Sequence, residues 1–131
     1  MQFSEAELTA AMTGYAKATL IAQNKDIRKG KVDVEQVWQD LGGYGRYQLL
    51  DGFSGVVLPV LAALPEVPRV HGERPRFSTG QISNALEQCL TFEGGRIKRK
   101  ALVLAQAALV GMALQELPPW FDPEQAMLEG E

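Results

Sequence analysis

The sequence predicts an all-α fold: a compact single-domain bundle of five to seven helices around one central apolar helix. Apolar residues recur at helical spacing in several segments, and no segment alternates apolar and polar residues over a useful length. A chain of 131 residues is long enough to bury an ordinary core. Its content of 46% apolar and 22% charged residues is typical of globular proteins.

The central helix is predicted over residues 96–117. Across residues 101–114 the only polar side chain is Gln106, and most residues there are good helix formers. This apolar run is shorter than the roughly 20 residues that span a bilayer. A helix that is apolar all round has to be buried on every side, so we expect a core helix. Replacing Leu104 or Leu109 with Ala would then cost about 2–5 kcal/mol.

The other helices are predicted from capping residues and from apolar positions at helical spacing. Ser4 with Glu7, and Ser78 with Gln81, have the spacing of capping boxes, while Asp33 is a suitable N-cap for a short helix. In chain order the first three of these helices are expected from Ser4 to about Asn24, from Asp33 to Leu41 and from Tyr44 to Leu64. A fourth is expected to begin at Ser78 and to end at Glu93 and the two glycines after it. A last short helix is expected after Asp122.

Three segments are expected to interrupt the helical pattern. Pro59 lacks an N–H group and crowds the preceding turn, so the third helix should have a joint between Gly52 and Pro59. Residues 25–31 read as a polar, basic connection. Residues 65–77 contain three prolines and are predicted to be a loop, with a short edge hairpin as an alternative.

Few residue combinations that carry chemistry are present. Cys89 is the only cysteine and His71 the only histidine, which excludes an internal disulfide and a zinc site of several thiolates. Cys89 lies on an apolar helix face, where a cysteine is usually a small buried residue. No paired carboxylates occur at helical spacing on the apolar faces, and no glycine-rich phosphate motif follows a strand. We therefore expect no catalytic residue, no metal site and no cofactor.

Charge and targeting signals indicate a cytoplasmic protein. The net charge of −3 gives no general attraction to nucleic acid or to an anionic membrane. The first residues carry acids and no long apolar segment, unlike a secretory signal. No Lys or Arg follows Lys100, and the tail from about residue 122 is acidic. No association with membranes is expected.

The charges at the start of the predicted central helix are opposite to those that a helix dipole favours. Four cations crowd its first turn, where the helix dipole favours anions, at a cost of up to about 1 kcal/mol each. Two glycines before this helix start would suit a bound phosphate. The candidate anion- or nucleic-acid-binding residues are Arg96, Lys98, Arg99 and Lys100, with Lys25, Arg28, Lys29 and Lys31 as a second patch. The alternative is a solvated helix start whose cations pair with Glu87, Glu93 or the acidic tail.

Nucleic-acid binding is possible but not favoured. Residues 78–102 have some character of a helix-turn-helix motif, but the connection between the two helices is longer than the usual turn. The second helix also becomes wholly apolar after Lys100, so only its first turn could enter a DNA groove.

The surplus of apolar helix surface favours an interaction module. Ala107, Ala108, Gly111 and Ala113 would admit a close partner helix, so a symmetric dimer is plausible. The competing interpretation is that the first and third helical regions already cover this surface. The leading hypothesis is a non-enzymatic, cytoplasmic helical module that forms a homo-oligomer or binds a protein partner. The alternative is an anion- or nucleic-acid-binding protein.

Overall fold

A computed structural model describes residues 1–91 and 93–129, and these residues form seven α-helices. In chain order the helices are α1 (Glu5–Gln23), α2 (Lys25–Arg28), α3 (Val34–Asp40), α4 (Gly42–Ala63), α5 (Thr79–Cys89), α6 (Arg96–Leu114) and α7 (Pro123–Glu129). The described residues contain no strand, and their one isolated β-bridge is antiparallel, between Glu73 and Trp120. The all-α class and the number of helices are confirmed, whereas the alternative of a hairpin in residues 65–77 is wrong.

The starts of α1, α3 and α5 follow the capping residues predicted from the sequence. The Ser4 hydroxyl accepts from the Glu7 backbone N–H at 3.1 Å, and the Glu7 carboxylate accepts from the Ser4 N–H at 2.9 Å. Ser78 and Gln81 repeat this capping box at the start of α5, at 3.1 and 2.8 Å. Asp33 caps α3 as predicted. These starts form where the sequence indicates because both hydrogen-bonding partners lie within one turn of each other.

A joint was expected in the helix predicted from Tyr44 to Leu64, which corresponds to α4. This prediction is wrong, because α4 continues through Pro59 without a break. A proline inside a helix removes one hydrogen bond and costs about 3 kcal/mol. Val57 and Val60 lie on either side of it and are almost completely buried. Their packing against the core offsets the cost, since most helix stability in proteins comes from tertiary burial.

The basic connection at residues 25–31 also differs from the prediction, since it contains the single helical turn α2. The Asn24 side chain caps this turn, and Ile27 is buried beneath it. The guanidinium of Arg28 donates to the carbonyl of Ile21 at 3.2 Å, near the end of α1. The burial of Ile27, the Asn24 cap and the Arg28 contact therefore stabilise a helical turn where the sequence predicts only a polar connection.

Most of the buried side chains form one cluster, supplied mainly by α1, α4, α5 and α6. Its members include Ala11, Met12, Tyr15, Val57, Val60, Leu61, Leu64, Ile82, Ala85, Leu86, Ala107, Val110, Ala113, Leu114 and Leu117. Gly14 permits a close approach of α1 to α6, because a Cβ atom there would lie 3.1 Å from the Cα of Ala113. The cluster fixes α6 between α1 and α5, against which it packs.

The prediction that the central helix is buried on every side is wrong. The buried face of α6 consists of Val103, Ala107, Val110, Ala113 and Leu114. Leu104 is 52% exposed and Ile97 is 88% exposed, so the structure removes the buried position on which the large cost predicted for Leu104→Ala depends. Leu109 is half-buried against the core. The other side of α6 is exposed because no helix among the described residues packs against it. α1 and α5 pack against one face of α6, whereas the short α3 packs against α1 and α4.

Candidate functional site

The exposed side of α6 carries a continuous apolar surface. We call Ile97, Ala101, Leu104, Ala108 and Gly111 the α6 stripe. Successive members are separated by four, three, four and three residues, the spacing of the seam of a coiled coil. All are exposed except Gly111, which is half-buried, and Met112 lies beside the stripe with 41% of its surface exposed.

A groove of about 960 Å³ runs along the C-terminal half of the α6 stripe. Its other wall is the segment of residues 72–79. Side chains at the base and wall are mostly apolar: Pro75, Phe77, Ile82, Leu104, Ala107, Ala108, Met112, Leu114 and Pro119. Arg74 and Arg76 also line the groove. An elongated apolar surface bordered by polar groups is typical of a site that accepts another helix.

The wall of the groove is fastened to the end of α6. The backbone N–H of Gly72 donates to the carbonyl of Trp120 at 2.7 Å, and the N–H of Trp120 donates to the carbonyl of Glu73 at 2.9 Å. The guanidinium of Arg74 donates to the carbonyl of Gln115. A cation is favoured there because the end of a helix carries partial negative charge. These bonds join the wall of the groove to the end of α6 and to the residues that follow it.

A partly buried ion pair joins the same loop to the start of α1. Arg69 donates to both carboxylate oxygens of Glu7, at 2.8 and 3.1 Å, and to the carbonyl of Gln2 at 3.0 Å. Glu7 is only 6% exposed. Burial alone would raise the pKa of its carboxyl, but the hydrogen bonds from Arg69 and Ser4 and the charge of Arg69 outweigh it and lower that pKa. No local pattern in the sequence indicates this pair, because its members are 62 residues apart.

The one polar side chain in the apolar run of α6 has an internal partner. The Tyr15 hydroxyl donates to the side-chain oxygen of Gln106 at 2.8 Å. The Tyr15 ring is nearly fully buried and meets the ring of Phe53 edge-on, with 5.2 Å between centroids. Burial raises the pKa of the Tyr15 hydroxyl, so it stays protonated as the donor. Gln106 therefore joins α6 to α1 and is not available to a ligand.

The predicted basic cluster at the start of α6 is fully on the surface. Arg96, Lys98, Arg99 and Lys100 are all exposed, and Gly95 caps the helix without a side-chain hydrogen bond. Within residues 1–91 and 93–129, none of the four forms an ion pair. The predicted alternative of pairing with Glu87, Glu93 or the acidic tail is therefore not observed up to Glu129, and Glu131 lies outside the described residues.

The second predicted patch lies on α2 and the turn after it. Lys25 and Arg28 belong to α2, Lys29 follows as its C-cap, and Lys31 is exposed in the next turn. Arg28 is already engaged with the end of α1. Among the described residues, no hydrogen bond or ion pair joins this patch to Arg96–Lys100. A surface shared by the two clusters therefore stays a prediction.

The lone cysteine and histidine each have separate structural partners. The thiol of Cys89 is half-buried and donates to the carbonyl of Pro59 at 3.3 Å. Nδ1 of His71 accepts from the backbone N–H of Asp122 at 2.9 Å, and its Nε2 lies 3.0 Å from the carboxylate of Glu129. The histidine thus fixes α7 to the loop. In the described ranges, no three His, Cys, Asp or Glu side chains are grouped where they could bind a metal ion.

No protein-family model, curated protein sequence or solved structure matches the chain. Of the seven helices in the described part of the chain, none is long and apolar enough to cross a membrane. Every buried side-chain nitrogen and oxygen in that part has a hydrogen-bonding partner. Large apolar side chains are also exposed on α4, in the loop after it and near α7, but those on α6 lie in a row beside a groove.

Proposed function

We propose that the protein is a cytoplasmic, non-enzymatic helical module that self-associates through the α6 stripe. The observation that carries this proposal is the exposure of large apolar side chains in one row on a helix. Within the α6 stripe Ile97 and Leu104 are 88% and 52% exposed, and Met112 beside it is 41% exposed. Contiguous apolar surface of this kind marks interaction sites, because its removal from water is favourable.

The pattern of the α6 stripe favours a second copy as the partner. Ile97 and Leu104 are large, whereas Ala101, Ala108 and Gly111 are small. Seam residues with coiled-coil spacing let two helices interlock, and small residues let them approach closely. A two-fold interface uses the same surface of both copies, so one self-complementary stripe is sufficient for a dimer.

The absence of an enzymatic role is supported by how the reactive side chains are used. Cys89 and His71 lie in different hydrogen-bonded arrangements, and each contacts backbone or surface groups. The buried carboxylate of Glu7 is engaged by Arg69 and by a helix cap. A cytoplasmic location fits a chain whose single cysteine cannot form an internal disulfide.

Replacing Leu104 with Glu tests this proposal. We expect the wild type to be a dimer at tens of micromolar and Leu104→Glu to be a monomer, because the interface would bury a charge without a partner. Light scattering during size-exclusion chromatography measures the mass. Thermal unfolding of the variant should show an intact fold, since position 104 is half exposed.

The matched control is Tyr47→Glu, which places the same charge on the exposed part of α4. Tyr47 is 63% exposed and lies outside the α6 stripe. This variant is expected to dimerise like the wild type. A monomeric wild type, or equal loss of dimer in both variants, would contradict an interface on α6.

An anion- or nucleic-acid-binding protein is the second candidate, favoured by the exposed cations at positions 96–100 that have no ion-pair partner among the described residues. Titration of labelled duplex and single-stranded oligonucleotides at increasing salt tests it, because phosphate binding weakens steeply with salt. The self-association proposal predicts no measurable binding. Salt-sensitive binding that disappears in the Lys98→Glu, Arg99→Glu double variant would establish the second candidate instead.

A further inference from the structure

His71 attaches the last helix to the rest of the molecule. Its Nδ1 accepts from the backbone N–H of Asp122 at 2.9 Å, and its Nε2 lies 3.0 Å from a carboxylate oxygen of Glu129. Among the described residues, these are the only hydrogen bonds that join residues 122–129 to the rest of the chain. α7 contains no buried residue, so burial in the core does not fix its position.

The two contacts require one particular form of the imidazole ring. A ring nitrogen that accepts from an N–H group carries no proton, so Nδ1 is unprotonated while α7 is attached. The proton of the neutral ring is then on Nε2, from which it is donated to Glu129. An imidazolium carries a proton on both nitrogens, so its Nδ1–H would face the N–H of Asp122 with no acceptor between them. The contact that positions the start of α7 therefore exists only for the neutral ring.

We propose that His71 is a pH-sensitive attachment, which holds α7 on the loop between α4 and α5 at neutral pH and releases it when the ring is protonated. Imidazole is the side-chain group that usually changes charge between about pH 5 and 8. Because the attached state needs the neutral ring, uptake of a proton shifts the equilibrium towards the released state. The attachment lies within one chain and therefore does not depend on self-association.

Two carboxylates near the ring oppose this release. The side chain of Glu129 is 66% exposed, and an exposed ion pair contributes little to stability, so its attraction for the imidazolium does not replace the lost backbone contact. The carboxylate of Asp122 accepts from the N–H of the residue two positions on, at 3.0 Å, and so caps α7. The loop itself contributes the charged side chains of Arg69, Glu73 and Arg74. In the described part of the chain, none of these three forms a hydrogen bond or an ion pair with His71.

Release of α7 would also change a pocket on the surface. The ring of His71 meets the ring of Phe121 edge-on, with 5.5 Å between centroids. Phe121 forms one side of a pocket of about 470 Å³, together with Phe3, Arg69 and Trp120. The backbone of Trp120 is bonded to that of Glu73 and does not involve the imidazole. The part that is free to move after protonation therefore begins at Phe121, and its movement would open that side of the pocket.

NMR of the wild type between about pH 7.5 and 5.5, where carboxyl groups ordinarily stay charged, tests the proposal. His71 is the only histidine, so its ring signals need no assignment. We expect the ring nitrogen shifts to show the Nε2–H form at neutral pH. Hydrogen exchange of the α7 amides, corrected for its intrinsic pH dependence, should become at least about tenfold faster as the ring is protonated, while the amide of Leu86 in the core stays protected. A proton on Nδ1 at neutral pH, or α7 exchange that is unchanged or slower in acid, would overturn the proposal.

Three variants separate the Nδ1 contact from the ion pair. His71→Asn offers a carboxamide oxygen in place of Nδ1 and cannot titrate, so α7 should stay protected in acid. His71→Ala should lose the protection of α7 at every pH. Glu129→Gln is the matched control, because it keeps an acceptor for Nε2–H without the charge, and it should still release α7 in acid. An acid response that persists in either His71 variant, or that disappears in Glu129→Gln, would show that another group controls α7 and would overturn the proposal.

Discussion

Leu86→Ala is expected to lower the free energy of unfolding by about 2–5 kcal/mol. Leu86 has no exposed surface and lies in the core on α5, which packs against both α4 and α6. Truncation would leave a cavity that these helices cannot close without losing other contacts. Because the total stability of a domain is about 5–15 kcal/mol, the loss is large enough to measure by urea unfolding.

Leu104→Ala is the control for this variant, since both remove the same atoms from a helix. Leu104 is 52% exposed, and its truncation should change monomer stability by less than about 1 kcal/mol. Both variants should be compared at a concentration at which light scattering shows a monomer. Equal destabilisation by the two changes would mean that the exposed side of α6 is buried, contrary to the structure.

Arg69→Ala is expected to cost about 2–3 kcal/mol at neutral pH, because it leaves the buried carboxylate of Glu7 without its cation. Arg76→Ala is the matched control, since Arg76 is exposed and has no ion pair within the described residues. That change should be nearly neutral. Thermal or urea unfolding of the two variants measures the difference.

The contribution of Glu7 also predicts how this difference depends on pH. The folded state lowers the pKa of Glu7, so its ion pair stabilises the fold above the ordinary carboxyl pKa. That stabilisation is lost as the pH falls through the lowered pKa in the folded state. The wild type and Arg69→Ala should therefore become more alike in stability below about pH 4. A difference that stays constant from neutral to acid pH would show that Arg69 acts through packing alone.

The helix starts were predictable because their determinants are local. Each capping box needs two residues three positions apart, and Ser4 with Glu7 shows this at the start of α1. α7 begins at Pro123, where Asp122 supplies the cap, for the same reason. Such contacts join residues within one turn, so the sequence indicates where they can form.

The errors concern features that depend on distant parts of the chain. Pro59 indicates a break when its own helix is considered, and only the burial of Val57 and Val60 shows why the helix continues. Glu7 was recognised as a capping residue, but its partner Arg69 lies in a proline-rich loop with no pattern that indicates a contact. Tertiary packing determines both the continuation of α4 through Pro59 and the contact between Glu7 and Arg69, and no neighbouring residues in the sequence indicate either.

The candidate site was predictable only in part. The surplus of apolar surface on α6 and the small residues Ala108 and Gly111 pointed to a helix interface. Ala107 and Ala113 were assigned to the same interface, but both are buried inside the chain. Nearly every residue from 101 to 114 is apolar, so no polar residues mark which face of the helix is exposed. The sequence alone therefore does not distinguish the exposed residues with coiled-coil spacing from the buried ones.

Sedimentation equilibrium of the wild type tests the central claim most directly, because it measures mass without a label or a substitution. Self-association through the α6 stripe predicts a mass that rises from that of one chain, 14.3 kDa, to twice that value as the concentration increases into the tens of micromolar. The transition should persist at high salt, since apolar burial supplies most of its free energy. A mass that stays at one chain across the whole range would contradict the account.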